Sequence, residues 1–271
     1  MENLLVVVPM YPGTEPVRAS TFASVAGLQW NGRLDVLWMR NDSPVGGWHY
    51  VDLADKLNRA AQIALQGRYA GMVVIEADMV VPSNALQRLY EVDAEIVYGL
   101  YCSRTSRGHQ WLLAKGIDEQ GVQWPTRDEL RGYWGSVVQS SGVGLGCTLI
   151  KREALLSVAF RTVMHGFAPD WYLAVDAQED GIRQAHHCGV VCGHVLDDRR
   201  VVWPDPDATD LYRIEEAAAV AILSVGGAYR VLPGQRLAMD GEGRAYEAGE
   251  VVTLGEEVAL KLIRRGVVEC A

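Results

Sequence analysis

Short runs of apolar β-forming residues alternate with segments of helical periodicity along the first part of the chain. We predict buried strands at 4–8, 34–39, 72–75 and 95–101, and helices at 17–28, 52–65 and 82–90. Strands that alternate with helices in this order favour a parallel sheet whose connections are right-handed crossovers. The pattern therefore predicts an α/β fold.

Later segments are less regular. We predict an irregular segment over 116–136 and a strand at 147–151. A helix rich in Ala and Glu is predicted at 211–223, and short strands separated by turns follow it. We therefore divide the chain into a large domain over 1–210, a helical linker over 211–225 and a small C-terminal α+β module over 226–271, which is barely large enough for its own core.

Composition and charge narrow the functional classes. The 271 residues are 49% hydrophobic and carry a formal net charge of −9, which argues against sequence-independent nucleic-acid binding because such binding needs a basic face. The five cysteines show no disulfide-framework spacing, and the N-terminus lacks the basic region of a signal peptide. No stretch approaches the roughly 20 apolar residues of a membrane span. We expect a soluble, cytoplasmic protein.

The strand predicted at 72–75 runs into two carboxylates, Glu76 and Asp78, which are separated by Ala77. Acids on alternate residues of an extended segment point to the same side, and open α/β sheets bind ligands at the carboxyl ends of their strands. Mg²⁺ or Mn²⁺ bound to a nucleotide diphosphate would supply the missing positive charge. A strand that simply ends in a solvated loop is the alternative.

A glycine-rich segment, Gly142-Val143-Gly144-Leu145-Gly146, precedes the strand predicted at 147–151. A dinucleotide-binding fingerprint would follow a strand and open a helix, so we reject that interpretation. The glycines instead indicate either a close approach of the backbone to a ligand or a tight turn.

Several motifs occur in a characteristic order. They are L-L-V-V-V-P-M-Y at 4–11, Leu57-Asn58-Arg59-Ala60, Glu76-Ala77-Asp78, A-L-Q-R-L at 85–89, G-L-G-C-T-L-I-K-R at 144–152, Glu179-Asp180, and V-V-C-G-H at 190–194. Over residues 3–205 this order resembles the GT-A glycosyltransferases, in particular the family 2-like group. The resemblance implies a Rossmann-like nucleotide-diphospho-sugar transferase fold, with a mixed, mostly parallel sheet flanked by helices.

The resemblance also implies roles for individual residues. Glu76-Ala77-Asp78 stands where the family has its D-x-D motif, with Glu76 in place of the first Asp. A divalent ion, Mn²⁺ or Mg²⁺, is expected on Asp78 and His194. The expected donor-binding residues are Pro9, Tyr11, Asp42, Arg59, Glu76, Ala77, Asp78 and Arg104.

Asp180 is the candidate general base, because the family places an acceptor-facing acid pair where Glu179-Asp180 stands. The resemblance also implies a helix at 182–187 and a strand at 190–194. We expect Asp180 to lie at the start of that helix, where the helix terminus keeps a carboxylate ionised. Asp170 and Asp176 lie close enough in sequence to compete for the role. A helix-capping acid with no catalytic role is the remaining alternative.

The expected function is that of a metal-dependent glycosyltransferase of the hexosyltransferase type, which moves a sugar from a UDP- or GDP-sugar to an acceptor hydroxyl with inversion. A saccharide is the favoured acceptor, while a modified nucleic-acid base and a homo-oligomeric state stay open. One alternative is a nucleotidyltransferase of the same fold, although the loop at 11–16 lacks the lysine that such enzymes usually carry there. The other is a non-catalytic carbohydrate-binding or assembly protein.

Overall fold

The chain forms two compact units, Met1–Ala217 and Ala218–Ala271. The computed structural model describes residues 2–10, 19–39, 49–104, 108–118, 121–162, 168–197, 200–216, 227–231, 237–238, 245–246, 251–254 and 268–270.

The first unit combines thirteen strands with six helices among its described residues. The strands are β1 (Leu4–Pro9), β2 (Leu34–Met39), β3 (Gly71–Ile75), β4 (Met79–Val80), β5 (Ile96–Leu100), β6 (Gly116–Asp118), β7 (Gly121–Gln123), β8 (Val137–Gln139), β9 (Cys147–Lys151), β10 (Gln184–Val191), β11 (Gly193–Val195), β12 (Arg200–Pro204) and β13 (Tyr212–Glu216). The helices are α1 (Ala19–Ala26), α2 (His49–Gln66), α3 (Ala85–Tyr90), α4 (Arg127–Tyr133), α5 (Arg152–Leu155) and α6 (Pro169–Glu179).

Seven strands of this unit form a central sheet in the order β2-β1-β3-β9-β5-β10-β8. β1 pairs in parallel with β2 and β3, and β5 pairs in parallel with β10. β9 runs antiparallel between β3 and β5, and β8 runs antiparallel beside β10 at the edge. The sheet is therefore mixed and mostly parallel, which confirms the predicted α/β fold class.

Helices cover both faces of the central sheet because its inner strands are apolar on both sides. Alternate residues of β1 divide between two core clusters: Val6 and Val8 pack with α1 and α3, whereas Leu5 and Val7 pack with α2 and α6. Leu57 of α2 is fully buried, and the burial of such a side chain contributes about 1.5–3 kcal/mol. This packing holds in place the carboxyl end of β3, which Glu76 and Asp78 follow.

A second sheet of four strands, ordered β13-β12-β11-β4, begins beside the two acids. β4 follows Asp78 directly and pairs antiparallel with β11, so that His194 lies opposite Met79. A 2.8 Å hydrogen bond from the Val195 N–H to the Asp78 carbonyl extends this pairing. Two segments that are far apart in sequence are thereby joined beside the end of β3.

Two predicted helices prove to be strands. The helix predicted at 182–187 is wrong, because 184–191 form β10, which is hydrogen-bonded to β5 on one side and to β8 on the other. The helix predicted at 211–223 is wrong over 212–216, which form β13 and pair with β12; residues 217–223 lie outside the described residues. In both cases the hydrogen bonds to neighbouring strands decide the structure of the segment.

The segment over 116–136, which we predicted to be irregular, contains a hairpin of β6 and β7 followed by α4. α4 begins with a capping box, in which the Thr126 hydroxyl accepts from the Glu129 N–H and the Glu129 carboxylate accepts from the Thr126 N–H. The Thr-x-x-Glu spacing is a recognised helix start, so the sequence contained this signal and the prediction missed it.

The second unit is described by five short strands: β14 (Gly227–Val231), β15 (Leu237–Ala238), β16 (Ala245–Tyr246), β17 (Val251–Leu254) and β18 (Val268–Cys270). β14 lies between β17 and β18, and β15 pairs with β16. Short strands were predicted here, whereas the division of the chain at residues 210 and 226 and a separate role for this module stay predictions. Among the residues described in either unit, no helix is long and apolar enough to cross a bilayer.

Candidate metal centre

Glu76 and Asp78 lie in the turn between β3 and β4, at the carboxyl end of the parallel strands. The Met79 N–H donates to the Glu76 carbonyl at 3.1 Å and closes the turn, while the Glu76 N–H donates to the Gly146 carbonyl at 3.2 Å. Ala77 packs into the core, and its two acidic neighbours lie together in one cluster on the other side. Glu76 and Asp78 therefore lie close together, as their spacing on alternate residues predicted.

His194 of β11 reaches the same place. Its Nδ1 atom lies 2.7 Å from the Cys102 carbonyl oxygen, and because a carbonyl only accepts, Nδ1 carries a hydrogen, so that Nε2 holds a lone pair whenever the ring is neutral. The side chain is 6% exposed, yet Nε2 has no hydrogen-bond partner among the described residues. The distance of 3.6 Å between His194 Nε2 and Asp78 Oδ2 is too long for a hydrogen bond.

The geometry of these three residues fits a shared divalent ion. One ligand atom each from Glu76, Asp78 and His194 lie within 4.8 Å of one another. Two atoms that each lie about 2.1 Å from one ion are separated by roughly 3.0–3.6 Å at angles of roughly 90–120°, which matches Nε2 and Oδ2. Two carboxylates and an imidazole suit Mn²⁺ better than Ca²⁺, which prefers oxygen alone.

The two carboxylates have opposite pKa shifts. Burial, then the charges of Asp78 and Asp170, raise the pKa of Glu76 to about 8. Burial also acts to raise the pKa of Asp78, but the His194 imidazole and the Arg104 guanidinium outweigh it, so that the pKa of Asp78 is lowered. The ion pair from Arg104 Nη2 to Asp78 Oδ2 measures 2.6 Å. Close carboxylates do not both ionise readily without a cation between them.

We expect Mn²⁺ binding to release a proton from Glu76 below about pH 8. A metal ligand must be deprotonated, and the pKa of Glu76 is about 8, so Mn²⁺ affinity should rise by up to about tenfold per pH unit towards pH 8 and then level off. Calorimetry in two buffers of different ionisation enthalpy measures the proton release directly. In Glu76→Gln this component should disappear. Equal proton release by this variant and by wild type would contradict the assignment.

Three aspartates in α6 or directly after it were candidates for the general base, and the structure separates them. Asp170 lies in the first turn of α6, and its charge acts on Glu76 and on Tyr101. Burial raises the pKa of Asp170, although hydrogen bonds from the backbone N–H groups of residues 171, 170 and 144 act to lower it. The charge of Asp170 therefore raises the pKa of one residue of the metal cluster.

Asp180 lies at the opposite end of α6, where it follows the last helical residue and is exposed. The prediction that Asp180 starts a helix is wrong, because the residues after it enter β10 and its own backbone N–H bonds back to the Asp176 carbonyl at 2.9 Å. Asp176 forms a 2.6 Å ion pair with Arg161. The base role of Asp180 stays an untested prediction, and its placement gives it no support.

The glycine-rich segment makes room for two tyrosine rings of the β5 region. A Cβ atom on Gly142 would lie 1.9 Å from the Tyr98 ring, and one on Gly144 would lie 2.0 Å from the Tyr101 hydroxyl. Gly144 also has a φ of +94°, which side chains rarely adopt. The Gly146 N–H donates to the Tyr101 hydroxyl at 3.0 Å. We expected a close approach of the backbone to a ligand or a tight turn; the close approach that the structure shows is to two tyrosines of the chain itself.

We expect Gly146→Ala to destabilise the first unit. The added Cβ would lie 2.6 Å from Tyr101 Cζ, and the Tyr101 ring in turn packs edge-on against His194 with centroids 5.7 Å apart. Overpacking of this kind costs about 1–3 kcal/mol, which urea unfolding would measure as a lower midpoint. Gly132→Ala is the control, since a Cβ there meets nothing within 4 Å. Equal midpoints for Gly146→Ala and wild type would contradict this account.

The remaining predicted donor-binding residues are less closely connected with the cluster. Pro9 ends β1, Arg59 is an exposed residue of α2, and Tyr11 and Asp42 lie outside the described residues. Arg104 and Ala77 do lie at the cluster, as described above. The donor-binding roles of all these residues stay predictions.

One buried charged pair was not predicted. Lys56 Nζ lies 2.6 Å from Asp52 Oδ2, with both side chains less than a tenth exposed, and it donates to the Met10 carbonyl at 2.6 Å. The pair therefore ties α2 to the residue that follows β1. The available signal was the i, i+4 spacing of an acid and a lysine within the predicted helix.

No protein-family model matches the sequence, and no curated protein is similar enough to count as a match. Solved structures do match. The fold is similar to that of A197 from STIV. That match has a TM-score of 0.53 at 18% identity and covers 80% of this chain and 94% of that chain. At such identity the likeness concerns the fold alone.

Two other matches have lower TM-scores. The catalytic domain of Drosophila β1,4-galactosyltransferase 7 in complex with xylobiose has a TM-score of 0.48 at 13% identity, over 73% of this chain and 72% of that chain. S. aureus TarS 1-349 in complex with UDP-GlcNAc has a TM-score of 0.44 at 12% identity, over 70% of this chain and 56% of that chain. Neither likeness carries an argument about activity, and membership of the family 2-like group stays a prediction.

Proposed function

We propose that this protein is a metal-dependent glycosyltransferase that moves a sugar from a UDP- or GDP-sugar to an acceptor hydroxyl, with a saccharide as acceptor. The observation that carries the proposal is the buried Nε2 of His194, which has no hydrogen-bond partner within the described part of the chain and faces Asp78 beside Glu76. A buried polar atom without a partner is costly, and an ion shared with the carboxylates would remove that cost. The motif order over 3–205, which resembles GT-A glycosyltransferases, supports a nucleotide sugar as the ligand.

The residues supply what a displacement at the anomeric carbon needs. Asp78 and His194 would hold the ion with Glu76 beside them, and the ion would supply the positive charge that neutralises the diphosphate. The bond between the anomeric carbon and the diphosphate oxygen breaks, and its electron pair leaves with the nucleoside diphosphate. The acceptor oxygen bonds to the same carbon from the opposite face, which inverts the configuration, while its proton passes to a carboxylate.

We propose Asp170, in place of Asp180, as the carboxylate that takes this proton. Asp170 lies at the start of α6, and its charge acts on Glu76 of the metal cluster. Its pKa is raised by burial, and a base is most effective when its pKa lies nearer the operating pH. The backbone N–H groups that bond to it hold the carboxylate in one orientation.

Hydrolysis of nucleotide sugars tests the proposed class of enzyme. We expect the protein to release UDP or GDP from at least one nucleotide sugar when Mn²⁺ is present, to stop when EDTA is added and to recover with excess Mn²⁺. A nucleotidyltransferase would instead release pyrophosphate from a nucleoside triphosphate and a sugar phosphate. If neither product forms and calorimetry detects no nucleotide binding, a non-catalytic carbohydrate-binding protein becomes the better account.

A further inference from the structure

Arg104 contacts the same carboxylate oxygen that faces the free nitrogen of His194. Arg104 Nη2 lies 2.6 Å from Asp78 Oδ2, and Asp78 Oδ2 lies 3.6 Å from His194 Nε2. The other terminal nitrogen of Arg104, Nη1, donates to the Val195 carbonyl at 3.3 Å. The guanidinium therefore bridges Asp78 and β11 at the mouth of the metal cluster.

This contact conflicts with the binding of a divalent ion. An ion held by Asp78 Oδ2 and His194 Nε2 would bring two like charges against one carboxylate oxygen, and like charges at such distances repel strongly. Two of the three groups in the cluster, Glu76 and Asp78, are acids, and Arg104 is the cation that contacts Asp78 in this structure. The Arg104 guanidinium is thus a counter-ion of Asp78 in this structure.

Arg104 is able to leave this position without disturbing the core. Its side chain is 44% exposed, so a change of rotamer opens no cavity in the core, and its hydrogen bond to Val195 is long. A guanidinium released beside a bound metal is well suited to a diphosphate, because its planar N–H groups match phosphate oxygens in pairs. Arg104 would then pair with Asp78 before the metal ion binds and with the diphosphate of the donor afterwards.

We propose that Arg104 is an exchangeable counter-ion: it occupies Asp78 in the absence of metal, gives way to the divalent ion, and moves to the phosphates of the nucleotide. This inference rests on the proposed function and assigns to Arg104 a positioning role that couples the two ligands. Its consequence is that metal and nucleotide bind cooperatively, since each ligand makes the release of Arg104 from Asp78 less costly for the other.

Titrations of Mn²⁺ alone and of UDP and GDP at saturating Mn²⁺ test the exchange, by electron paramagnetic resonance for the metal and by calorimetry for the nucleotides. For Arg104→Gln we expect Mn²⁺ alone to bind roughly 5- to 30-fold more tightly than to wild type, because its competitor is gone, and the nucleotide to bind roughly tenfold or more weakly. Arg104→Lys keeps the charge but not the paired N–H groups, so it should resemble wild type towards Mn²⁺ and Arg104→Gln towards the nucleotide.

Arg33→Gln is the matched control, because it removes the same charge from an exposed arginine whose partner is Asp35 of β2, and both affinities should stay at the wild-type value. Mn²⁺ affinity in Arg104→Gln that is equal to or weaker than in wild type, while Asp78→Asn still abolishes Mn²⁺ binding, overturns the exchange and leaves the proposed function standing. If Asp78→Asn leaves Mn²⁺ binding unchanged, the metal site itself is wrong and the exchange is overturned with it.

Discussion

Asp78→Asn is expected to abolish Mn²⁺-dependent nucleotide binding while the fold stays intact. Asp78 provides the oxygen that faces both His194 and Arg104, and its lowered pKa keeps it ionised. An amide of the same shape keeps the packing but loses the negative charge, so we expect the Mn²⁺ and UDP or GDP affinities to fall by roughly 100-fold or more. Calorimetry measures both, and circular dichroism checks the fold.

Asp93→Asn is the control for this experiment, because the Asp93 side chain is 93% exposed and its ion pair is with Arg183. It should bind Mn²⁺ and nucleotide as wild type does. An Asp78→Asn protein with wild-type affinity for the Mn²⁺–nucleotide complex would show that the cluster of Glu76, Asp78 and His194 is not a metal site.

Asp170→Asn is expected to lower the rate of sugar transfer, and of donor hydrolysis, by a factor on the order of 10²–10⁴ with donor binding nearly unchanged. Asparagine keeps the shape of Asp170, and its one oxygen can still accept from backbone N–H groups, but it cannot take a proton. The effect should therefore fall on kcat and leave the nucleotide affinity alone. Steady-state kinetics with the best donor, together with calorimetry of UDP or GDP binding, separates the two.

Asp180→Asn is the matched variant, directly after the far end of the same helix. Because Asp180 is exposed at the far end of α6, we expect this variant to keep a rate within about twofold of wild type, as surface substitutions usually do. The opposite result, an inactive Asp180→Asn and an active Asp170→Asn, would return the base to Asp180 as the sequence comparison first suggested.

As α6 shows, a sequence motif can locate a segment of the chain without predicting which of its residues lies at a helix terminus. Glu179-Asp180 matches the acid pair of the resembled family in sequence, yet the helix that an acceptor-facing acid would begin starts ten residues earlier, at Pro169. Pro169 in the first helical turn was the local signal for that start. This helix terminus is the support for the proposal of Asp170, because the backbone N–H groups at a helix N-terminus favour and orient a carboxylate.

The sequence alone determined the features that depend on short-range pattern. The apolar runs and the helical periodicity predicted β2 with its observed bounds and placed β3, α2 and β5 to within a few residues, because a strand buried on both faces must be apolar throughout. The same pattern identified Glu76 and Asp78 as candidate cation ligands, because two acids at the end of such a strand need a counter-charge.

Only the tertiary structure decided the features that depend on partners distant in sequence. β10 and β13 are strands because neighbouring strands take their hydrogen bonds, and no local propensity contains that information. The Cys102 carbonyl sets the tautomer of His194, and Arg104 reaches Asp78 from the end of β5. These contacts join three separate segments, and each exists because the sheets bring the ends of their strands together in space.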